Sequence, residues 1–374
     1  MAVALISFIF ILLGVCFKRN KSLYIALFLW LWIIMAFTTG IADEKGVYMS
    51  RYMSPELWKG ESEILYTAII SLCNKLNFGF YAFKAFTTFI QLLLISLTIW
   101  KLSRYPNLVL CLYMVYPFPL NISQMRNALA TAVFIFSIRY LMEDDSEIRI
   151  KKFRLTTNDL KYILCILIAA LIHSASLIWL VLLVAKKFSL KKNIIIMLII
   201  NAVVLCVSPT AIIGLISHVG AGARMAAYFS AAYQASSWRK YGGALLNVSF
   251  TSAILITLCV FIYHRKSKFE NEKQVKLLLK SNIIILCIYG LIFKYTGEVY
   301  RLQEGMTVMN YMLITNAFKP QYFMKNRISI STAKVFGGIL IFVAGIFYIA
   351  IGMYLYPTIL EPILNNNMLL KMLF

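Results

Sequence analysis

Acid is scarce in this sequence, 15 Asp and Glu against 37 Lys and Arg over 374 residues. The segments read below as external hold no cluster of Asp and Glu of the kind that grips a divalent cation. No HExxH, Walker phosphate loop or GxSxG elbow occurs, so neither a zinc-hydrolase site nor a nucleotide energy source is indicated. The seven cysteines, Cys16, Cys73, Cys111, Cys165, Cys206, Cys259 and Cys287, stand singly in apolar stretches without CxxC spacing. That pattern suggests neither a disulfide framework nor a cysteine metal site, and they are read as small core residues. Charge as a whole is short too: 14% of residues are charged and 61% hydrophobic, where a soluble domain has about 25% and about 45–50%.

What is present is apolar runs of roughly 16 to 24 residues, each closed by Lys, Arg or a Pro/Gly/Asn cluster, the length that crosses a hydrocarbon layer of about 30 Å. The fold class expected is therefore all-α: a polytopic integral membrane bundle of about twelve transmembrane segments, residues 1–374 forming one membrane domain. The net charge of +22 sits mainly in short loops between the runs, as the positive-inside rule requires, and signals orientation rather than nucleic acid. The first run, Met1 to Phe17, has no basic region before it and Lys18, Arg19 and Lys21 after it. This reverses the pattern of a cleavable signal, and the run is expected to stay as a first helix with its N-terminus outside.

Threaded from outside, the second helix covers Ser22 to Ala42 and the first external loop runs from Asp43 to about Gly60. Glu61 to Lys75 reads as a surface helix with Ile64, Leu65, Ala68, Ile69 and Leu72 on one stripe. A third helix covers about Tyr81 to Trp100. A fourth, Leu108 to Leu120, breaks at Pro117 and Pro119, and a fifth starts just after Arg126 and ends at Met142, before a charged inner loop, Glu143 to Lys161. Tyr162 to Ala185 is flanked by basic clusters on both sides, which predicts a broken-helix hairpin joined near His173 and Ser174, tolerable only inside protein or against a watery cavity. Asn193 to Ser208 is followed by the large external loop 209–243, the natural lid over a substrate. Ala244 to Tyr263, Ser281 to Phe293, Met306 to Phe318 and Val335 to Tyr356 complete the crossings, with a basic inner loop His264 to Lys280 and an external turn holding Glu298, Arg301 and Glu304. No internal repeat of the transporter kind is present.

External cations run against the topological bias and need a reason. Arg126, Arg224, Arg239 and Arg301 are the candidates, since a guanidinium grips phosphate through paired N–H donors and keeps its charge when partly desolvated. The bland reading makes each an interfacial anchor or the partner of a nearby acid. His173, alone in an apolar stretch, is expensive unless hydrogen-bonded or facing a cavity. Asp43 and Glu63 border the first external loop, where a carboxylate can take a proton from a sugar hydroxyl; the plainer alternative is a solvated loop acid.

These residues lie in segments that resemble the EpsG-like and Wzy-type polymerases of bacterial surface polysaccharides. The matching pieces are DEKGVYMSRY with Asp43, Tyr48 and Tyr52, ESEILY with Glu63 and Tyr66, QMRNALATAVFIFSIRYL with Arg126 and Ala130, and AALIHSASL with His173. They cover about the first half of the chain, with a weaker echo at Arg301. Where the family commonly has Gln after the arginine, Asn127 stands here and Gln124 precedes.

The resemblance implies a glycosyltransferase that joins undecaprenyl-pyrophosphate-linked oligosaccharide units at the outer face of the bacterial inner membrane. The residues themselves call for no cofactor, no metal and no nucleic acid, and the resemblance adds the bilayer, a flippase and a chain-length regulator as surroundings. On this reading Arg126 and Arg301 hold the pyrophosphate, Arg224 and Arg239 assist from the large loop, and His173, Asp43 and Glu63 are the candidates for acceptor chemistry. A ligase moving finished glycan from the same lipid, and a flippase or transporter of lipid-linked oligosaccharide, are the rival expectations.

Overall fold

A backbone surrounded by hydrocarbon finds hydrogen-bond partners only within itself, and the apolar runs of this chain fold accordingly into helices. A computed structural model describes residues 2–42, 44–58, 63–143, 147–150, 153–208, 211, 249, 251–253, 255–256, 259, 272–294, 300–317 and 356–373. It divides into two compact units, Met1–Ile178 with Tyr348–Phe374, and Trp179–Phe347.

In the first unit α1 (Ala2–Cys16) and α2 (Lys21–Phe37) are followed by a π-helical turn (Glu44–Met49), α3 (Ser50–Met53) and α4 (Ile64–Lys75). Then come α5 (Phe80–Leu102), α6 (Pro106–Val115), α7 (Phe118–Ser123), α8 (Met125–Met142) and α9 (Thr157–Ile172). The centre is α8, packed between α5 and α9, while α2 packs on α5 and α1 on α6. The basic turns gather at one end. Arg19 donates to Ser103 O at 3.0 Å, and the Asn107 amide donates to Phe17 O at 2.6 Å and Asn20 O at 3.1 Å. There too Lys101 pairs with Glu143. With 23 residues, α5 carries the chain about 34 Å from its first residue to this basic end.

Gly14 on α1 lies against α6: a Cβ there would stand 2.2 Å from Cys111 Sγ and 3.3 Å from Asn107 O. Gly14→Ala is expected to lower stability by about 1–3 kcal/mol, and adding Cys111→Ala is expected to recover most of it, the two sites being coupled. Thermal unfolding in detergent checks this; a single variant that melts with the unaltered protein would mean the two helices do not touch there.

The second unit holds α10 (Val181–Lys187), α11 (Leu190–Cys206) and α12 (Glu272–Ile285). One 3-10 turn (Leu286–Ile288) leads into α13 (Tyr289–Lys294), followed by α14 (Tyr300–Glu304) and α15 (Thr307–Ala317). α12 packs against α10, α11 and α15. Asn201 on α11 serves the backbone where the helical pattern changes, donating to Leu286 O at 3.0 Å and accepting from the Gly290 amide at 2.7 Å.

The expected breaks are present. α6 stops at Val115 and α7 starts at Phe118, with a cis Tyr116–Pro117 bond between them. α9 stops at Ile172, His173 takes an extended conformation, and a 3-10 stretch, Ser174–Leu180, precedes α10. Several boundaries differ from the reading of the sequence, and α2 already ends at Phe37, short of Ala42. α8 begins at Met125, so Arg126 stands in its first turn rather than ahead of it. Residues 272–280, read as basic loop, are helical: Lys276 stays exposed while Val275, Leu278 and Leu279 turn inward, an amphipathic turn continuing the apolar run. The charged loop after α8 contains an antiparallel hairpin, Glu147–Ile150 with Phe153–Thr156, whose alternating apolar and charged residues are a strand pattern.

Among the described residues two helices, Phe80–Leu102 and Gln274–Ile292, are by themselves long and apolar enough to cross a bilayer. Ala2–Cys16, Lys21–Phe37, Ile64–Lys75 and Pro106–Val115 are shorter apolar helices. The expected count of twelve includes Ala244 to Tyr263 and Val335 to Tyr356, which lie almost wholly outside the described residues, as does loop 209–243.

Candidate functional site

Three polar side chains far apart in sequence meet at the end of the first unit opposite the basic turns. Glu63 is the residue before α4, and its carboxylate does not cap that helix. Instead Oε2 accepts from Arg126 Nη1, and Oε1 lies 2.6 Å from His173 Nδ1. The carboxylate is 1% exposed, against 15% for Arg126 and 21% for His173. Glu63 is thus a buried acid, not a solvated loop residue.

Each side chain is aimed by local structure. The break at Pro117 and the short α7 let α8 start anew at Met125, which puts Arg126 in its first turn, where Asn127 donates to Gln124 Oε1 at 2.9 Å. His173 is the residue at which α9 stops: its amide still donates to Ala169 O at 2.8 Å, and its carbonyl accepts from the Ser176 amide at 3.0 Å. α4 is tied down through Tyr52, whose hydroxyl donates to Phe78 O at 2.6 Å and whose carbonyl accepts from Asn74 Nδ2 at 3.0 Å. Beneath the polar groups lies an apolar floor that includes Tyr52, Tyr66, Phe83, Met125, Ala130 and Ile172.

A carboxylate taken out of water survives as an anion only if paired, and here two partners share it. The Nδ1 contact fixes the ring: with Nδ1–H donated to Glu63, a neutral imidazole carries its lone pair on Nε2, the position of a general base. The arginine balances the charge of Glu63, and a guanidinium is the side chain whose planar set of N–H donors matches phosphate as well as carboxylate.

A second buried pair in the same unit was not read from the sequence as a partnership. Lys84, 1% exposed, donates to Glu44 Oε1 at 2.6 Å and to Thr38 O at 2.5 Å, and Glu44, 3% exposed, accepts from the Gly40 amide at 2.6 Å. Gly40 has φ +77, where a side chain is strained. The signal available was a lone lysine inside an apolar helix, which demands a counter-charge.

Arg301 stands on α14 in the second unit, partly exposed, three residues before the buried Glu304. Asp43, Arg224 and Arg239 lie outside the described residues. Among the described residues no three of His, Cys, Asp and Glu gather as a metal site.

No curated protein and no solved structure matches the chain. One family model does, over residues 2–360, well beyond the first half in which the resemblance was read. It is that of the EpsG family, a family of polymerase-type membrane proteins, and the chain belongs to it.

Proposed function

We propose that this protein polymerises oligosaccharide repeat units carried on undecaprenyl pyrophosphate, at the outer face of the bacterial cytoplasmic membrane. The observation that carries the reading is the shared carboxylate: Glu63 orients His173 on one side and engages Arg126 on the other. Proton removal and phosphate binding then sit side by side. The sugar hydroxyl of one unit attacks the anomeric carbon at the lipid end of the other; its proton passes to His173 Nε2, the glycosidic C–O bond forms, and the bond to the pyrophosphate breaks. Undecaprenyl pyrophosphate leaves with the electron pair, and a preorganised guanidinium stabilises the charge that gathers on it. Arg126 is assigned to that role, with Arg301, Arg224 and Arg239 assigned by side-chain type and by their place in segments read as external. Asp43, next to Glu44, is the further acid of the acceptor side. The opposition between the basic turns and the Glu63 end supports an outward-facing site, since Lys and Arg mark the inner side.

Purified protein supplied with lipid-linked repeat units and no second acceptor is expected to lengthen glycan chains, read as a ladder on a gel with release of undecaprenyl pyrophosphate. Transfer only when another acceptor lipid is added would make it a ligase. Single units held at the inner face of a null strain would make it a transporter.

A further inference from the structure

The loop between α2 and the π-helical turn is gripped from two directions, by α5 and by the C-terminal segment. From the C-terminal side, the Ala42 amide donates to Thr358 O at 3.0 Å, and the Thr39 amide donates to Asn366 O at 2.9 Å. Thr38 and Asn367 pair as an isolated antiparallel bridge, and Asn367 Nδ2 donates to Ile33 O at 3.0 Å, a second bond to a carbonyl inside α2. From the other side, Lys84 holds Thr38 O and Glu44, and Glu44 holds Gly40. Thr38, Glu44, Lys84 and Asn367 are all buried. Fixing a loop this way removes conformational freedom that several otherwise solvated residues would keep. The consequence reaches the site, because the chain runs directly from Glu44 into Tyr48, Met49 and Tyr52, which pack on the apolar floor beneath Glu63 and Arg126. Asn366 and Asn367 lie past the residues that the family shares, 2–360.

We propose that Lys84 and the C-terminal residues Thr358–Asn367 form a two-sided clamp that positions the Thr38–Tyr52 segment as one wall of the acceptor site; the catalytic part of this rests on the polymerase reading above. The clamp is a standing brace and not a lid.

Three variants of the 374-residue chain in lipid nanodiscs test it: a chain ended at Leu360, Lys84→Met, and Thr38→Cys with Asn367→Cys. The last pair suits a disulfide because directly opposed residues flanked by the Thr39–Asn366 bond are the closely spaced kind. Ending the chain at Leu360 is expected to speed hydrogen exchange across Thr39–Met49 by roughly tenfold or more. The same variant and Lys84→Met, in folded and monodisperse protein, are expected to raise KM for lipid-linked repeat units more than they lower kcat, a split that mere loss of folded protein does not produce. The cysteine pair is expected to show a lower KM when oxidised than when reduced, because the disulfide replaces the Asn367 contacts that the substitutions remove. Unchanged exchange in the shortened chain overturns the clamp, as does faster exchange with unchanged KM. Activity lost on oxidation and regained on reduction overturns the brace, since the segment would then have to lift. The exchange arm needs no turnover, so an unaltered protein that elongates nothing sinks the polymerase reading alone.

Discussion

Glu63→Gln is expected to lower the rate of chain elongation by about 10²–10⁴-fold, the range a positioned acid–base pair contributes, while the protein still folds and inserts. Glutamine keeps the volume of a side chain that is 1% exposed, so the packing on the apolar floor survives. What changes is polarity. An amide can turn its oxygen to Arg126 only by turning its NH2 toward His173 Nδ1, and that nitrogen must then accept instead of donate. The ring proton moves to Nε2 and the base is lost, as happens when the orienting carboxylate of a catalytic triad is made an amide. The stability cost should stay below the ~3–5 kcal/mol of a fully stranded buried charge, because Arg126 and His173 retain 15% and 21% exposure. Initial rates with lipid-linked units, alongside a melting curve to establish folding, decide it. A rate within about threefold of the unaltered protein leaves no room for a histidine base oriented by this carboxylate.

The helices and their breaks were legible because lipid permits few alternatives: apolar length predicts a crossing, and a proline pair or a lone polar residue inside a run predicts an interruption. Pro117 and His173 showed both rules at work. Helix ends next to charged stretches were not legible, since residues 272–280 carry enough lysine to read as loop yet keep Lys276 exposed on α12 while Val275, Leu278 and Leu279 turn inward. The candidate site was legible by residue type and not by partnership. Glu63 and His173 are 110 positions apart, Glu63 and Arg126 are 63 apart, and nothing in a single sequence says which acid a lone arginine or histidine will find. Arg126 and His173 therefore drew separate roles, phosphate and proton, when in the structure one carboxylate organises both. The Lys84–Glu44 pair was hidden for the same reason. Lys84 and Glu44 are 40 positions apart, although each buried cation in so acid-poor a chain has few partners to choose from.

The bland reading of Arg126, a mere partner for a nearby acid, now has a named acid, and a pair of substitutions separates it from the phosphate role. Arg126→Lys keeps a positive charge able to approach Glu63 but loses the planar fork; Arg126→Ala loses both. If Arg126 served only to neutralise Glu63, the lysine variant would regain nearly the whole rate. If it also stabilises the departing pyrophosphate, the alanine variant should fall by about 10²–10³-fold, the cost of removing one preorganised oxyanion donor, and the lysine variant should recover stability with less than about a tenth of the rate. The loss should appear in kcat more than in KM, because charge on the bridging oxygen develops only as the bond breaks. Combining Arg126→Ala with Glu63→Gln should cost far less than the product of the two single effects, since each substitution already dismantles the same unit. Full multiplication of the two losses, or a lysine variant that elongates at the unaltered rate, would place the pyrophosphate elsewhere and return Arg126 to a structural role.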